Sequence, residues 1–499
     1  MTERAAWRRW RRPAAAGMLL LAALALGLYA LLLARGARQT GDCALTGMTL
    51  AMLALVAARP RMRREWLFLV LAAGWGLCYL CLITPLSAPD ESAHYRCAMH
   101  LAGQWLNGQP VVDKAYLNFD GLTGHENTAQ AFQAFTGELF APAALTGELV
   151  DCGAQQIRYP LMYLPQAAGC YLAMALGLSR MAAFALGDLI NLAVYAALVW
   201  AALRSLPHGK TPVMLCALLP MALQQASSLS PDGFINGMAF LFLARLILAV
   251  ERPGRLAWRE ALALALPAVL LAPAKAVYFL LLLLLPMIPR TRFARGRDKA
   301  LYVLGVMALA ACVTFLCQLG WLREMSGAAQ SGTSEYYTLG WVLRHPVQTA
   351  AMFFHTLVPL GAFFYLESAV GAQLSGLSLD LATGYWGSMI LILALSILAG
   401  TPGEDRLSRR QRAACLGVAA LVVLAVMGTM LLAWTPVGSA YIQGVQGRYF
   451  LPVAPLVALG LSNGNYASRR NMDGAYAAMF ICLQLLCLMQ VLHGVTGPA

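Results

Sequence analysis

Apolar runs of membrane length follow one another along nearly the whole chain, separated by short polar connectors. They cover 14–34, 43–58, 66–86, 181–203, 211–229, 233–250, 260–272, 276–288, 300–320, 385–399, 413–433, 449–461 and 474–492. About 20 such residues cross a bilayer as a helix, and in lipid the helix satisfies its own backbone. The pattern predicts an all-α polytopic transmembrane helix bundle of about 13 spans. Two further apolar segments, 159–178 and 347–366, are predicted to lie in the interface as juxtamembrane helices. The first is broken by Pro160 and Pro165, and the second is aromatic from Phe353-Phe354-His355 to Phe363-Phe364-Tyr365. The opening run is longer than the core of a cleavable signal, which predicts a retained anchor. The chain divides into a two-span N-terminal extension, 1–65, and a membrane domain, 66–499, with one long polar segment at 87–158.

Charge turns this list of spans into a map of sides. Basic clusters at 4–12, 59–64, 204–210, 252–259, 290–299, 406–412 and 469–470 mark connectors that the positive-inside bias assigns to the cytoplasm. All of them fit one topology only if 159–178 and 347–366 do not cross. That places the N-terminus inside and the C-terminus outside, with segment 87–158 extracytoplasmic. The segment holds eight acids against the three bases Arg96, Lys114 and Arg158, although the chain as a whole carries a net charge of +13. The basic excess therefore orients the protein and meets anionic lipid, and no nucleic acid partner is expected. At 60% hydrophobic and 12% charged residues, a soluble or disordered chain is excluded. Twelve cysteines fit neither a zinc spacing nor a disulfide scaffold. Cys97 and Cys152 share the polar segment, and pairing or two free thiols are equally open.

Ionisable groups at the outer ends of the spans are the informative ones, because such groups are costly at membrane depth. The first cluster is Pro89-Asp90-Glu91-Ser-Ala-His94-Tyr-Arg96. Pro89 suits the start of a helix, which would set Asp90 and His94 one turn apart on one face. Adjacent carboxylates repel, so one of Asp90 and Glu91 is expected to titrate high and serve as a base. The same acids would also cap a helix against its dipole.

Three further clusters follow. Ser230-Pro231-Asp232 reads as a helix start, with Asn236 one turn further in. Lys275 is a lone lysine between two apolar runs, placed either to snorkel or to hold an anionic lipid. Gln446-Gly447-Arg448-Tyr449 enters a span, where the guanidinium fork suits a phosphate and the tyrosine suits an aromatic belt. Arg158-Tyr159 is similar in kind. The histidines form no HExxH-like ligand pair. Glu91 and His94 have one half of an i,i+3 metal spacing without its partner, so a divalent metal is left open. No nucleotide or organic cofactor is implied.

In this order the clusters resemble a family of bacterial multi-pass membrane proteins. The matching residues are Pro89-Asp90-Glu91, His94, Arg96 and Gly103, then Ser230-Pro231-Asp232 with Asn236, then Lys275, then Gln446-Gly447-Arg448-Tyr449 with Pro452. That family is similar in turn to the GT-C class of membrane glycosyltransferases. The stretch Tyr159-Pro160 through Tyr163-Leu-Pro165-Gln166 to Arg180 is similar to a juxtamembrane segment of that class. The resemblance implies an inverting sugar transfer from a polyprenyl-phosphate donor to a cell-envelope glycan, lipid or protein, on the outer face of the cytoplasmic membrane. It implies Asp90 or Glu91 as the base and Arg448, Lys275 and Arg158 as donor-phosphate ligands. His94, Tyr159, Asp232, Asn236 and Tyr449 would line the cavity. A transporter or flippase for a lipid-linked glycan is one rival, although it should show inverted repeats and broken helices, and neither is visible in the sequence. A non-catalytic envelope-polysaccharide assembly subunit is the other.

Overall fold

A computed structural model describes residues 24–32, 37–122, 126–154, 157–331, 336–358, 361–375, 379–398, 407–462 and 471–496. Among them the protein is an all-α membrane helical bundle with two very short strand pairs. Among the described residues seven helices are long and apolar enough to cross a membrane: Arg38–Ala58, Arg64–Leu82, Arg180–Ser205, Asp232–Glu251, Gly296–Gln318, Arg409–Ala433 and Asp473–Thr496. The opening run at 14–34 lies mostly outside the described residues, of which 24–32 are helical.

Other apolar runs take shorter forms, each with a local cause. Run 211–229 is two helices, Lys210–Ala217 and Pro220–Ala226, buried throughout except for Lys210. Pro220 has no N–H for the ladder and its ring collides with the preceding turn, so the helix breaks at Leu218-Leu219. A broken helix was not expected from the sequence. The run at 276–288 forms a 3-10 helix, Ala276–Met287, whose steeper rise lets 12 residues cover roughly 24 Å. The last cluster of the sequence opens a 3-10 turn, Gly447–Val453, that continues as the α-helix Ala454–Leu461.

Both segments predicted to lie in the interface form short helices. Residues 159–178 form the 3-10 turn Pro160–Tyr163 and the helix Leu164–Ala175, with the prolines in the first turns. A 12-residue helix is about 18 Å long against about 30 Å of hydrocarbon. Leu164, Tyr171, Leu172 and Leu176 remain exposed along its outer side. Residues 347–366 fall into Pro346–Leu357 and Ala362–Val370.

Segment 87–158 is a folded cap rather than an open loop. It contains the helices Glu91–Asn107 and Ala129–Glu138 and an antiparallel ribbon of Val111–Asp113 with Leu149–Asp151. The Asp113 carboxylate accepts from the N–H groups of Ala115, Thr146 and Gly147, closing the ribbon. Arg180 docks the cap on the bundle through Glu138 and the carbonyls of Asn118 and Asp120. Gly103 is needed for space, since a Cβ there would stand 2.6 Å from the Val111 carbonyl oxygen. Cys97 and Cys152 are buried free thiols. The N-terminal extension packs on the last helix, with Asp42 bonded to His493 Nε2 at 2.8 Å and Arg64 to Asp473 at 3.0 Å.

Candidate functional site

Four clusters far apart in the chain meet where the cap joins the bundle. They line a cavity of about 370 Å³ that includes Asp90, His94, Arg158, Asp232, Lys275, Arg448 and Tyr449. Seven of the ten residues proposed from the sequence are therefore brought together.

The two neighbouring acids part company. Asp90 takes a left-handed backbone, φ 59°, a conformation that aspartate tolerates better than most residues and that tends to accompany functional strain. It occupies the cap position of helix Glu91–Asn107 but makes no side-chain cap bond. Its carboxylate, 65% exposed, instead accepts from Arg448 Nη2 at 2.9 Å. Glu91 is buried and faces away from the cavity. One of its oxygens accepts from the Ala88 N–H and the other from the Leu229 N–H, at 3.1 and 3.2 Å. Glu91 thus serves backbone N–H groups outside its own helix, and Asp90 is the acid left facing the cavity. Burial pushes the Glu91 carboxyl up, against the pull of its N–H partners. The cause is desolvation rather than the repulsion from Asp90 that adjacency suggests.

Glu91 also ties the cap to the turn that carries Asp232. That turn, Ser227 to Pro231, is held by Asn191 Nδ2 on the carbonyls of Gln225, Ser228 and Ser230, and by Gln166 on Ser230. Ser227 Oγ donates to the Gly76 carbonyl. These hydrogen bonds hold the turn and so fix the position of Asp232. We expect Glu91→Gln to cost about 1–3 kcal/mol of stability, because an amide has one acceptor for two donors. Thermal unfolding in lipid nanodiscs measures this.

Asp232 is buried between two cations, Lys275 Nζ at 2.6 Å and Arg448 Nη1 at 4.0 Å. Arg448 is itself only 4% exposed, and its Nε has no partner among the described residues. Tyr449 lies under both cations, its ring centroid 4.7 Å from Lys275 Nζ and 5.1 Å from the Arg448 guanidinium carbon. Tyr278 fixes that segment by donating to the Tyr449 carbonyl at 2.9 Å. Removing Lys275 leaves Asp232 with the more distant arginine alone. Lys275→Met should therefore destabilise by about 1–2 kcal/mol, the lysine being one-third exposed. Combining it with Asp232→Asn should recover most of the loss in a double-mutant cycle.

His94 completes the wall, with Nδ1 2.9 Å from the Tyr163 hydroxyl. Burial pushes its imidazole down to about 4, so it is neutral at physiological pH. An unfolded chain takes up this proton near 6.5, so His94 makes stability fall as pH drops from about 6.5 towards 4. A His94→Gln protein should show a flatter loss of melting temperature over that window.

Three proposed residues do not line the cavity. Besides Glu91 these are Tyr159, whose hydroxyl donates to the Leu270 carbonyl at 3.0 Å, and Asn236, whose amide donates to Gln225 Oε1 at 3.1 Å. Gln318, Tyr278 and Thr429 join the lining without having been proposed. Gln318 and Thr429 are isolated polar residues in apolar runs, which was the available signal.

Arg158, Lys275 and Arg448 outnumber Asp90 and Asp232 by one charge in this cavity. Both carboxylates are engaged by cations, and among the described residues no group of three ligands could hold a metal ion. The arrangement can bind an anion and present one carboxylate beside it.

Residues 73–457 match the family of predicted membrane proteins DUF2142, and the chain belongs to this family. It is accordingly a multi-pass membrane protein. The matched stretch includes every residue of the cavity, while the helices Arg38–Ala58 and Asp473–Thr496 lie outside it. No curated protein and no solved structure matches the chain.

Proposed function

We propose that the protein is an inverting GT-C-like glycosyltransferase of about 13 spans in the bacterial cytoplasmic membrane. In this reading the N-terminus is cytoplasmic and the 87–158 cap extracytoplasmic. The donor is a polyprenyl-phosphate-linked sugar and the acceptor a hydroxyl of an envelope glycan, lipid or protein. One observation carries the reading: Asp90 is held on a left-handed backbone, exposed, at the mouth of a cavity with an excess of fixed cations.

The chemistry follows from that placement. Asp90 accepts the proton of the acceptor hydroxyl as its oxygen bonds the anomeric carbon. The bond from that carbon to the phosphate oxygen breaks with inversion, and the lipid phosphate leaves with one more negative charge. Arg448, Lys275 and Arg158 are positioned to take up that charge, with no reorganisation needed at the moment it develops. An apolar cavity of about 450 Å³ adjoins the same 3-10 turn, lined by Phe450, Leu451, Leu219, Ile390 and Val423. Consecutive residues Tyr449 and Phe450 thus border a charged and an apolar space, as an amphiphilic phosphate requires. No divalent metal is needed in this scheme.

The test is release of polyprenyl phosphate, with label appearing in the acceptor, when purified protein in nanodiscs meets a panel of polyprenyl-phosphate sugars and envelope extracts. No transfer with any donor and acceptor overturns the reading. A second reading, a carrier for a lipid-linked glycan, is favoured by the buried helix break at Leu218-Leu219. Movement of the labelled lipid between leaflets of proteoliposomes, undiminished in Asp90→Asn, would establish it. The non-catalytic assembly subunit is disfavoured because Asp90 makes no cap bond.

A further inference from the structure

Tyr163 ends the 3-10 turn Pro160–Tyr163 and is buried against the cap. Its hydroxyl lies 2.9 Å from His94 Nδ1, and the two rings are tilted with centroids 5.8 Å apart. A neutral imidazole has one N–H and one bare nitrogen, so the partner of Nδ1 decides what Nε2 can do. Of the two groups the phenol is the stronger acid and the imidazole nitrogen the stronger base. On that ground the contact is read with Tyr163 O–H donating to Nδ1, which puts the ring proton on Nε2. His94 lines the charged cavity, Tyr163 does not, and Nε2 has no hydrogen-bond partner among the described residues.

The charged groups acting on this ring are Asp90, Asp232, Arg448 and Lys275. Two cations and two carboxylates nearly balance, and burial keeps the ring uncharged. A neutral N–H among fixed charges adds no permanent ion pair. It donates to whatever acceptor enters.

We propose that His94 contacts the bound phosphate as a neutral hydrogen-bond donor through Nε2–H, and that Tyr163 is a positioning residue that selects this tautomer. The proposal rests on the reading of the cavity as a lipid-phosphate site. No proton leaves Nε2: the phosphate departs with its added charge and the N–H bond to it strengthens. A hydrogen bond to a charged group of this kind is worth about tenfold or more in affinity.

The experiment uses the full-length protein in nanodiscs with 15N-labelled histidine, and farnesyl phosphate as the probe. Ring-nitrogen signals missing from His94→Gln belong to His94. They should report the Nε2–H tautomer in the unmodified protein and a mixture in Tyr163→Phe, and the Nε2 signal should move on adding probe. His94→Leu should bind the probe at least about tenfold more weakly, and His94→Gln, which keeps an N–H donor, should recover most of the loss. An Nδ1–H tautomer in the unmodified protein, or probe affinity unchanged in a folded His94→Leu protein, overturns the proposal while leaving the phosphate site standing. Absence of probe binding to the unmodified protein overturns the phosphate site itself and the His94 contact with it.

Discussion

Under the proposed mechanism, Asp90→Asn should lower sugar transfer by about 10²- to 10⁴-fold, and leave the melting temperature nearly unchanged. The substitution separates charge from structure unusually well at this position. Asparagine and aspartate are the side chains that best tolerate a left-handed backbone, so φ 59° is kept where alanine would strain it. The carboxylate is 65% exposed and Arg448 retains Asp232, so little stability is at stake. The proton acceptor is lost, but so is one negative charge facing the donor phosphate. Donor affinity should therefore hold or tighten while kcat collapses. A purely structural role for Asp90 would weaken both together. Single-turnover transfer from a polyprenyl-phosphate sugar, alongside donor binding measured separately, distinguishes the two. Transfer at the unmodified rate in Asp90→Asn removes Asp90 as the base.

Much of this arrangement is legible in the chain, for reasons that also explain the rest. Membrane-length runs and arginine-rich connectors are strong signals because lipid permits few alternatives. The charged clusters stand out because polar groups are rare in such a sequence. Asp90 and Arg448 lie 358 residues apart and still meet. What adjacency does not reveal is which of Asp90 and Glu91 faces the cavity. That is decided by the Leu229 N–H, 138 residues away, which draws Glu91 inward and turns Asp90 out. Tyr159 and Asn236 are satisfied by carbonyl and amide partners of the bundle rather than left facing the cavity, which their positions in the chain do not disclose. The break at Pro220 was readable from its missing N–H but lay inside an unbroken apolar run. The ribbon of Val111–Asp113 and Leu149–Asp151 is three residues long on each side, too short for an alternation of polar and apolar positions to register.

Gly447→Ala should be among the most damaging single substitutions in the bundle, destabilising by about 3 kcal/mol or more. The reason is space, not backbone freedom. A Cβ at Gly447 would stand 2.3 Å from Ala369 N, Ser368 Oγ and the Tyr365 carbonyl oxygen, and two of those atoms belong to a helix backbone that cannot swing aside. The close approach is held by a hydrogen bond from Gly447 N–H to Ser368 Oγ at 3.1 Å. Relief requires the 3-10 turn Gly447–Val453 to move off the helix Ala362–Val370, and Arg448 moves with it. Whatever protein remains folded should then bind farnesyl phosphate more weakly, since Arg448 no longer spans Asp90 and Asp232. Gly417→Ala is the control. Gly417 lies inside the helix Arg409–Ala433 with nothing within 4 Å of a new Cβ, so alanine there should be neutral or stabilising by up to about 1 kcal/mol. Thermal unfolding of the two variants in the same nanodiscs decides the point. Equal melting temperatures would mean that the Gly447 contact does not hold the arginine in place, and the phosphate site would lose its structural support.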